Sequence, residues 1–318
     1  MISLSDVQAA QLRIKNHVIR TSVMTSSTVD GMLECNVFFK CENFQRVGAF
    51  KFRGALNTVS LLSDEEKSRG VVTHSSGNHA QALSLAASML GVKATIVMPK
   101  NSPTVKVNAT RGYGSEIVFC ENNPESRVET CTKLIDEYGY TLVHPYNDER
   151  IIAGAGTAAL ELLTDYGPLD VVMAPVGGGG LLSGTSVATK GISSLTKVIG
   201  GEPENADDAF RSFRDGVIYP SIRPNTIADG LRTNLGDITF SVIRANVDRI
   251  VTVSEEEILS AMKILWERMK LVVEPSGAVS LAAAIKIKNE LKGLRVGIII
   301  SGGNVDLEKF FAEFEVAQ

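Results

Sequence analysis

Short apolar runs that end in Gly, Pro or Ser recur along this chain and set its architecture. They are Gly70-Val71-Val72-Thr73, Ala94-Thr95-Ile96-Val97-Met98-Pro99, Glu116-Ile117-Val118-Phe119, Asp170-Val171-Val172-Met173-Ala174, Lys197-Val198-Ile199-Gly200 and Val296-Gly297-Ile298-Ile299-Ile300. Near-continuous hydrophobicity of this length marks strands buried on both faces, as in parallel sheets. Between them lie stretches of helical period, including 79–90 and 148–163. Strand–helix–strand alternation predicts a doubly wound α/β fold, with ligand sites at the C-terminal ends of the strands. Residues 70–146 hold three or four such units and read as a small α/β domain inserted into a larger one, 1–69 and 147–318. No Pro- or Gly-rich linker marks its edges.

Composition narrows the picture. The 318 residues are 44% hydrophobic, enough for one large or two ordinary domains. A net charge of −4 without a Lys/Arg run speaks against a nucleic-acid or anionic-membrane partner. No apolar run is long enough to span a bilayer, and the start, Met1-Ile2-Ser3-Leu4-Ser5-Asp6, has no secretory pattern. Cys35, Cys41, Cys120 and Cys131 are scattered with no CxxC pair, so neither a zinc site nor a disulfide framework is expected, and a reducing cytoplasm fits.

Four segments carry candidate chemistry. Lys51 lies in Gly48-Ala49-Phe50-Lys51-Phe52-Arg53-Gly54-Ala55. Burial among Phe50, Phe52 and Ala49 would lower its pKa and free the amine to attack an aldehyde. Alone, it reads first as one of many surface lysines at a helix start, because most lysines are exposed. Ser75-Ser76-Gly77-Asn78-His79 follows a strand and opens a helix, which suits an anion or an ordinary cap. Gly177, Gly178, Gly179 and Gly180 follow another strand, and four absent Cβ atoms let a phosphate approach the backbone. Neither a Walker loop nor a full GxGxxG is present there, and the plain alternative is a flexible turn. Ser301 begins Ser301-Gly302-Gly303-Asn304 after the last strand, where it could share a hydrogen bond with a pyridine nitrogen or simply turn the chain.

Taken together, these segments resemble the fold type II pyridoxal phosphate enzymes, the tryptophan synthase β-like group. More narrowly they resemble its serine/threonine dehydratase and serine racemase branch, from about Val7 to Asp306. The resemblance implies two doubly wound α/β domains with the cofactor in the cleft between them. Lys51 would be the Schiff-base lysine and the base on one face of Cα. Phe50 would lie against the ring, Asn78 would bond its hydroxyl, Gly177 to Gly180 would cradle the phosphate, and Ser301 would contact the ring nitrogen. Ser75, Ser76, Asn78 and His79 would bind the substrate, with Ser76 as the acid on the face opposite Lys51. The resemblance also places a divalent cation, Mg²⁺ or else Mn²⁺ or Ca²⁺, at Glu202, Asp208 and the Ala206 carbonyl, an all-oxygen set that suits such ions. Without it, the same segment is an acidic helix start. Arg127 would reach a second substrate carboxylate.

These implications converge on an ammonia-lyase for β-hydroxy amino acids (L-serine, L-threonine or L-threo-3-hydroxyaspartate) with accompanying serine racemisation, working as a homodimer. Tyr146, Leu181 and Arg232-Thr233 stand where animal serine racemases carry other residues, which argues against nucleotide activation and a dedicated racemase. The chain stops soon after Asp306, so no regulatory domain of the threonine dehydratase kind is expected. The alternatives are a dedicated serine racemase, a β-replacement enzyme of the cysteine synthase type, and a phosphate-ligand sensor. A sensor would not need Lys51. A cysteine synthase would carry an Asn-Pro-Ser/Thr pattern near the lysine, which is absent.

Overall fold

Two sheets organise the chain in a computed structural model, which describes residues 2–307. In chain order the strands are β1 Val23–Met24, β2 Asn36–Cys41, β3 Val71–His74, β4 Ala94–Pro99, β5 Glu116–Cys120, β6 Thr141–Leu142, β7 Val171–Pro175, β8 Lys197–Pro203, β9 Arg249–Val253 and β10 Arg295–Ile300. The larger sheet runs β1-β2-β10-β7-β8-β9 and the smaller β5-β4-β3-β6. Only β1 is antiparallel to its neighbour. The architecture is mixed α/β with parallel sheets, as the alternation predicts. Each of the six apolar runs forms a strand, shifted by no more than three residues at an end.

Four strands lie outside those runs. β2 (Asn36-Val37-Phe38-Phe39-Lys40-Cys41) carries a buried lysine that interrupts its hydrophobic pattern. β9 lies at the sheet edge with Arg249 exposed and Thr252 half-buried among buried apolar residues, and β1 and β6 are two residues each. All four strands of the smaller sheet fall between Val71 and Leu142. Among the described residues, no helix is long and apolar enough to cross a membrane. Residues 308–318, within the segment assigned by sequence to the larger domain, lie outside the described residues.

Three helices place the candidate site. The lysine helix, Lys51–Ser60, packs on the central helix, Glu149–Tyr166, which packs in turn on the cradle helix, Gly180–Ile192. Both crossings are glycine against glycine. A Cβ on Gly154 would stand 2.6 Å from the Cα of Gly54, and one on Gly184 would stand 2.4 Å from the Ile152 carbonyl oxygen and 2.5 Å from the Gly156 nitrogen. Such approach is closed to any larger residue without moving a backbone. Gly184→Ala should therefore lower unfolding free energy by about 1–3 kcal/mol in urea titration. Gly31→Ala, in the helix Ser27–Leu33 where a Cβ would meet nothing within 4 Å, should instead leave stability equal or raised. Equal losses in both variants would refute the close-approach argument.

Candidate active site

Segments far apart in sequence are stitched together where the two sheets meet. Phe50 N donates to Ser301 O at 3.0 Å, and Gly303 N donates to Gly48 O at 2.9 Å. Ala49 and Gly302 form an antiparallel bridge. Asn304 Nδ2 donates to Val47 O at 2.6 Å and to Asn78 Oδ1 at 2.9 Å. The turn before Lys51 takes a tight path, with φ of 55° at Val47 and 69° at Gly48. A β-branched residue rarely adopts that conformation, so the turn is held by its surroundings rather than by preference. A Cβ on Gly48 would lie 2.5 Å from Asn304 Oδ1, which is why glycine is needed there.

Lys51 opens its helix and is partly buried. Its Nζ donates to the Pro145 carbonyl at 2.7 Å and lies 5.2 Å from the Phe50 ring centre and 6.0 Å from that of Tyr146. Burial lowers its pKa to about 8, with Glu274 pulling the other way. An appreciable share of neutral amine is thus present near neutral pH, as nucleophilic attack on a carbonyl requires.

Asn78 is the first residue of the helix Asn78–Met89, and its Nδ2 donates to both oxygens of Glu274, at 2.9 and 3.1 Å. Glu274 precedes the helix Pro275–Lys286, and burial raises its pKa to about 7. Sequence reasoning missed this residue. Its signal, Glu274-Pro275-Ser276-Gly277, is indistinguishable from an ordinary acidic helix start with Pro at the first position. Pro145 and Asn304 were missed as partners too, because one acts through its carbonyl and the other through a tertiary contact.

The remaining candidates divide. Ser75 Oγ accepts from Gly77 N at 3.3 Å, and Ser76 is partly buried in the same turn. Ser301 is buried beside the lysine loop. The His79 ring turns into the core instead, with Nε2 3.1 Å from Val143 O, and burial and then the Lys51 charge push its pKa well down. Arg127 is partly buried, with Nη2 only 3.5 Å from Asn122 Oδ1 and a buried Nε that has no partner. It lies close enough to His74, the last residue of β3, to reinforce the lowering that burial imposes on that imidazole.

The tetraglycine ends beneath Tyr146. Cβ atoms on Gly178 and Gly180 would lie 2.4 and 3.0 Å from Tyr146 atoms, one on Gly177 would lie 2.8 Å from the Leu231 Cα, and Gly179 has φ of 88°. Packing alone thus demands these glycines, a reason the sequence did not reveal. The cradle helix begins at Gly180, so its first N–H groups lack intrahelical partners and suit an anion. Lys51, the Phe50 ring, a buried serine after β10 and this helix start together fit pyridoxal phosphate.

Glu202, near the end of β8, accepts from Ala209 N at 2.8 Å and Phe210 N at 2.7 Å. Asp208 opens the next helix after the turn Glu204–Ala206, and both its oxygens are buried without a hydrogen-bond partner. Burial, and then the neighbouring Asp208, raise Glu202 well above the usual carboxylate range, and burial raises Asp208 to about 6. Among the described residues, no three His, Cys, Asp or Glu side chains converge as metal ligands.

Comparison with known proteins agrees with this geometry. Residues 14–302 match the pyridoxal-phosphate dependent enzyme family. The chain is 50% identical over 306 residues to the L-threo-3-hydroxyaspartate ammonia-lyase of Saccharomyces cerevisiae, covering 96% of this chain and 94% of that one. It is 48% identical to the serine racemase of Schizosaccharomyces pombe, covering 96% and 95%. The crystal structure of serine racemase from Dictyostelium discoideum superposes with a TM-score of 0.93 at 46% identity, covering 96% of this chain and 99% of that one.

Capture of pyridoxal phosphate by cofactor-free protein should quicken as pH rises through about 8, where Lys51 loses its proton. The Glu274 carboxylate favours the ammonium form, so Glu274→Gln should shift the midpoint to lower pH. A midpoint that moves upward or stays fixed, read by stopped-flow absorbance, would show that Glu274 does not act on Lys51.

Proposed function

Because the chain belongs to the pyridoxal-phosphate dependent enzyme family, we propose that it is an ammonia-lyase for β-hydroxy amino acids that also racemises serine. The observation that carries this reading is the partly buried Lys51 amine, held at the meeting point of the two sheets beside the Asn78–Glu274 pair. Residue roles follow from position. Lys51 holds the cofactor, which when bound supplies an electron sink that labilises the Cα proton. The turn at Ser75, Ser76 and Asn78 offers main-chain N–H groups and hydroxyls to the substrate carboxylate. Lys51 Nζ takes the Cα proton from one face. Loss of the β-hydroxyl as water leaves an enamine, which hydrolyses to an oxo acid and ammonia. Ser76 returns or removes a proton on the opposite face, and that second path is racemisation. Asn78, locked by Glu274 and Asn304, orients the ring.

The substrate class follows from relatives named for L-threo-3-hydroxyaspartate and for serine. A divalent cation, Mg²⁺ or else Mn²⁺ or Ca²⁺, is held by Glu202, Asp208 and the Ala206 carbonyl, and what supports it is the pair of unpartnered Asp208 oxygens in a buried place. The protein acts as a homodimer in the cytoplasm. Support for the dimer is the exposure of Ile19, Phe44 and Val272, at 42%, 47% and 51%, around the Asn43–Gln45 turn. Support for the compartment is that all four cysteines are free.

The test is the purified enzyme with L-serine, D-serine, L-threonine and L-threo-3-hydroxyaspartate, measuring oxo acid and enantiomer together. Ser76→Ala should cut serine racemisation and D-serine elimination on the order of 10²–10⁴-fold while L-elimination falls much less. A proportional fall in both would make Ser76 a binding residue only.

Chelation should lower the melting temperature at pH 8 more than at pH 5. The sign follows from the raised carboxyls: protonated at low pH, Asp208 needs no cation, but as pH rises through about 6 it ionises beside Glu202, which burial and Asp208 itself hold well above the usual carboxylate range. No dependence on chelator at pH 8 would leave the acidic pair as a helix start.

A further inference from the structure

The four residues His144-Pro145-Tyr146-Asn147, between β6 and the central helix, touch both ends of the site. Toward the amine, the Pro145 carbonyl accepts from Lys51 Nζ at 2.7 Å. Toward the cradle, Tyr146 fills the space that Cβ atoms on Gly178 and Gly180 would need. Asn147 extends that hold. Its Oδ1 accepts from Ile238 N and Thr239 N at 3.0 and 3.3 Å, and its Nδ2 donates to Asp237 at 2.6 Å, so it caps the helix Asp237–Asn246. From the first turn of that helix, Thr239 Oγ1 donates to the Gly178 carbonyl at 2.9 Å.

One side chain holds the turn in shape. His144 Nδ1 lies 2.8 Å from Asn147 N and 3.3 Å from Tyr146 N, and both of these carry a hydrogen to donate. The ring nitrogen can answer them only as an acceptor, so the proton of the neutral imidazole sits on Nε2. Asp, Asn and Ser usually close a turn in this way. An imidazole adds a packing face: the half-buried His144 ring stands perpendicular to those of Tyr146 and His74, with centres 4.7 and 6.0 Å away. Burial first, then His74 and Lys51, lower its pKa to about 4 against the pull of Asp148 and Asp237, so the accepting form prevails near neutral pH.

We propose that His144 is a positioning residue of the cofactor site, whose Nδ1 lone pair fixes one short turn that holds the Lys51 amine at one end and the tetraglycine at the other. Without that acceptor, two main-chain N–H groups lose their partner and the turn is free to open. The Pro145 carbonyl then leaves the amine, and Tyr146 and Asn147 leave the loop and the helix that support the cradle. A ligand gripped at both ends needs both in register, so one lost acceptor loosens its hold twice over. The proposal rests on the fit of the site to pyridoxal phosphate and not on the choice of substrate.

The experiment measures dissociation constants of pyridoxal phosphate, and of pyridoxal, which lacks the phosphate, by absorbance titration of cofactor-free protein. His144→Leu should weaken both about 10- to 100-fold, the scale of two main-chain donors left without an acceptor. His144→Asn, whose Oδ1 falls where Nδ1 stands, should recover most of that loss, whereas His144→Gln, whose amide reaches only the Nε2 position, should not. Asn147→Ala keeps its main-chain N–H on His144 but gives up the helix cap. It should weaken pyridoxal phosphate far more than pyridoxal, because only the cradle end is released. Unaltered binding in His144→Leu overturns the proposal, and so does equal weakening in the Asn and Gln variants. A loss in His144→Leu confined to pyridoxal phosphate would sever the link to Lys51 and overturn it too. Should His144→Leu fail to fold, the contrast between Asn and Gln decides alone. No amino acid enters these titrations, so failure of the lyase reading leaves their outcome standing, and the reverse holds as well.

Discussion

Arg53 is fully buried two residues after Lys51, and the position of the lysine depends on what that guanidinium touches. Nε and Nη2 donate to the two oxygens of Glu42 at 2.7 and 2.9 Å, and Nη1 and Nη2 donate to those of Glu161 at 2.8 and 2.9 Å. Thr157 Oγ1 takes the remaining Nη1 hydrogen at 3.1 Å, and the Ile19 carbonyl shares Nη2 at 3.2 Å. Lys40 Nζ closes the cluster on Glu161 at 2.6 Å. Two cations and two carboxylates balance, and burial, which works against the charge on Arg53, is outweighed by both acids. Leaving any member unpaired would cost about 3–5 kcal/mol, so the set is present as a whole or not at all. The planar fork also explains arginine over lysine, because an ammonium could not bridge both carboxylates bidentately. The first turn of the lysine helix is thereby fixed from β2, from the turn after it and from the central helix at once.

The central helix then measures the distance from lysine to cradle. Gly154 meets Gly54, one turn after Lys51, and Gly156 meets Gly184, one turn after Gly180. Two residues on one helix therefore set the spacing between the amine and the free N–H groups of the tetraglycine loop. Side chains at either crossing would add ångströms to that spacing, and a fixed-length ligand spanning both ends would no longer fit. The ion cluster and the glycine crossings share the central helix, with Glu161 one to two turns past Gly154 and Gly156. Charge and close packing thus constrain the same element.

Much of this was legible in the chain because its signals are local. Apolar runs such as 94–99 and 296–300 mark buried strands, and Lys51, Ser76, Asn78 and Ser301 sit in loops at strand ends or helix starts. What escaped depends on contacts between distant residues. Lys40 hides β2 because a buried lysine needs partners that are distant in sequence, here the Thr21 carbonyl and Glu161, 121 positions away. Glu274 looks like a cap until Asn78 is seen beside it. The tetraglycine invites a phosphate argument, yet Tyr146, Leu231 and the left-handed Gly179 require the same residues. His79 was grouped with its substrate-facing neighbours, but a single residue's step around the helix swings its ring toward Val143. Sequence adjacency does not imply a shared direction on a helix.

Lys51 and Glu274 show why the chemistry belongs at this junction and not within either sheet. Burial drives the amine down to about 8 and the carboxyl up to about 7, so two groups that differ widely in water come within reach of each other. Burial acts on both in the direction that favours their neutral forms. The Asn78 amide and the Lys106 ammonium oppose that trend at Glu274, and Glu274 opposes it at Lys51. Asn78 and Lys106 come from the helices following β3 and β4, whereas Glu274 and Lys51 come from the layers around the larger sheet. The balance between a neutral and a charged amine is therefore set by how the two sheets meet. Any shift of one against the other that loosened the Asn78–Glu274 contact would alter the proton affinity of the residue that holds the cofactor and moves the substrate proton.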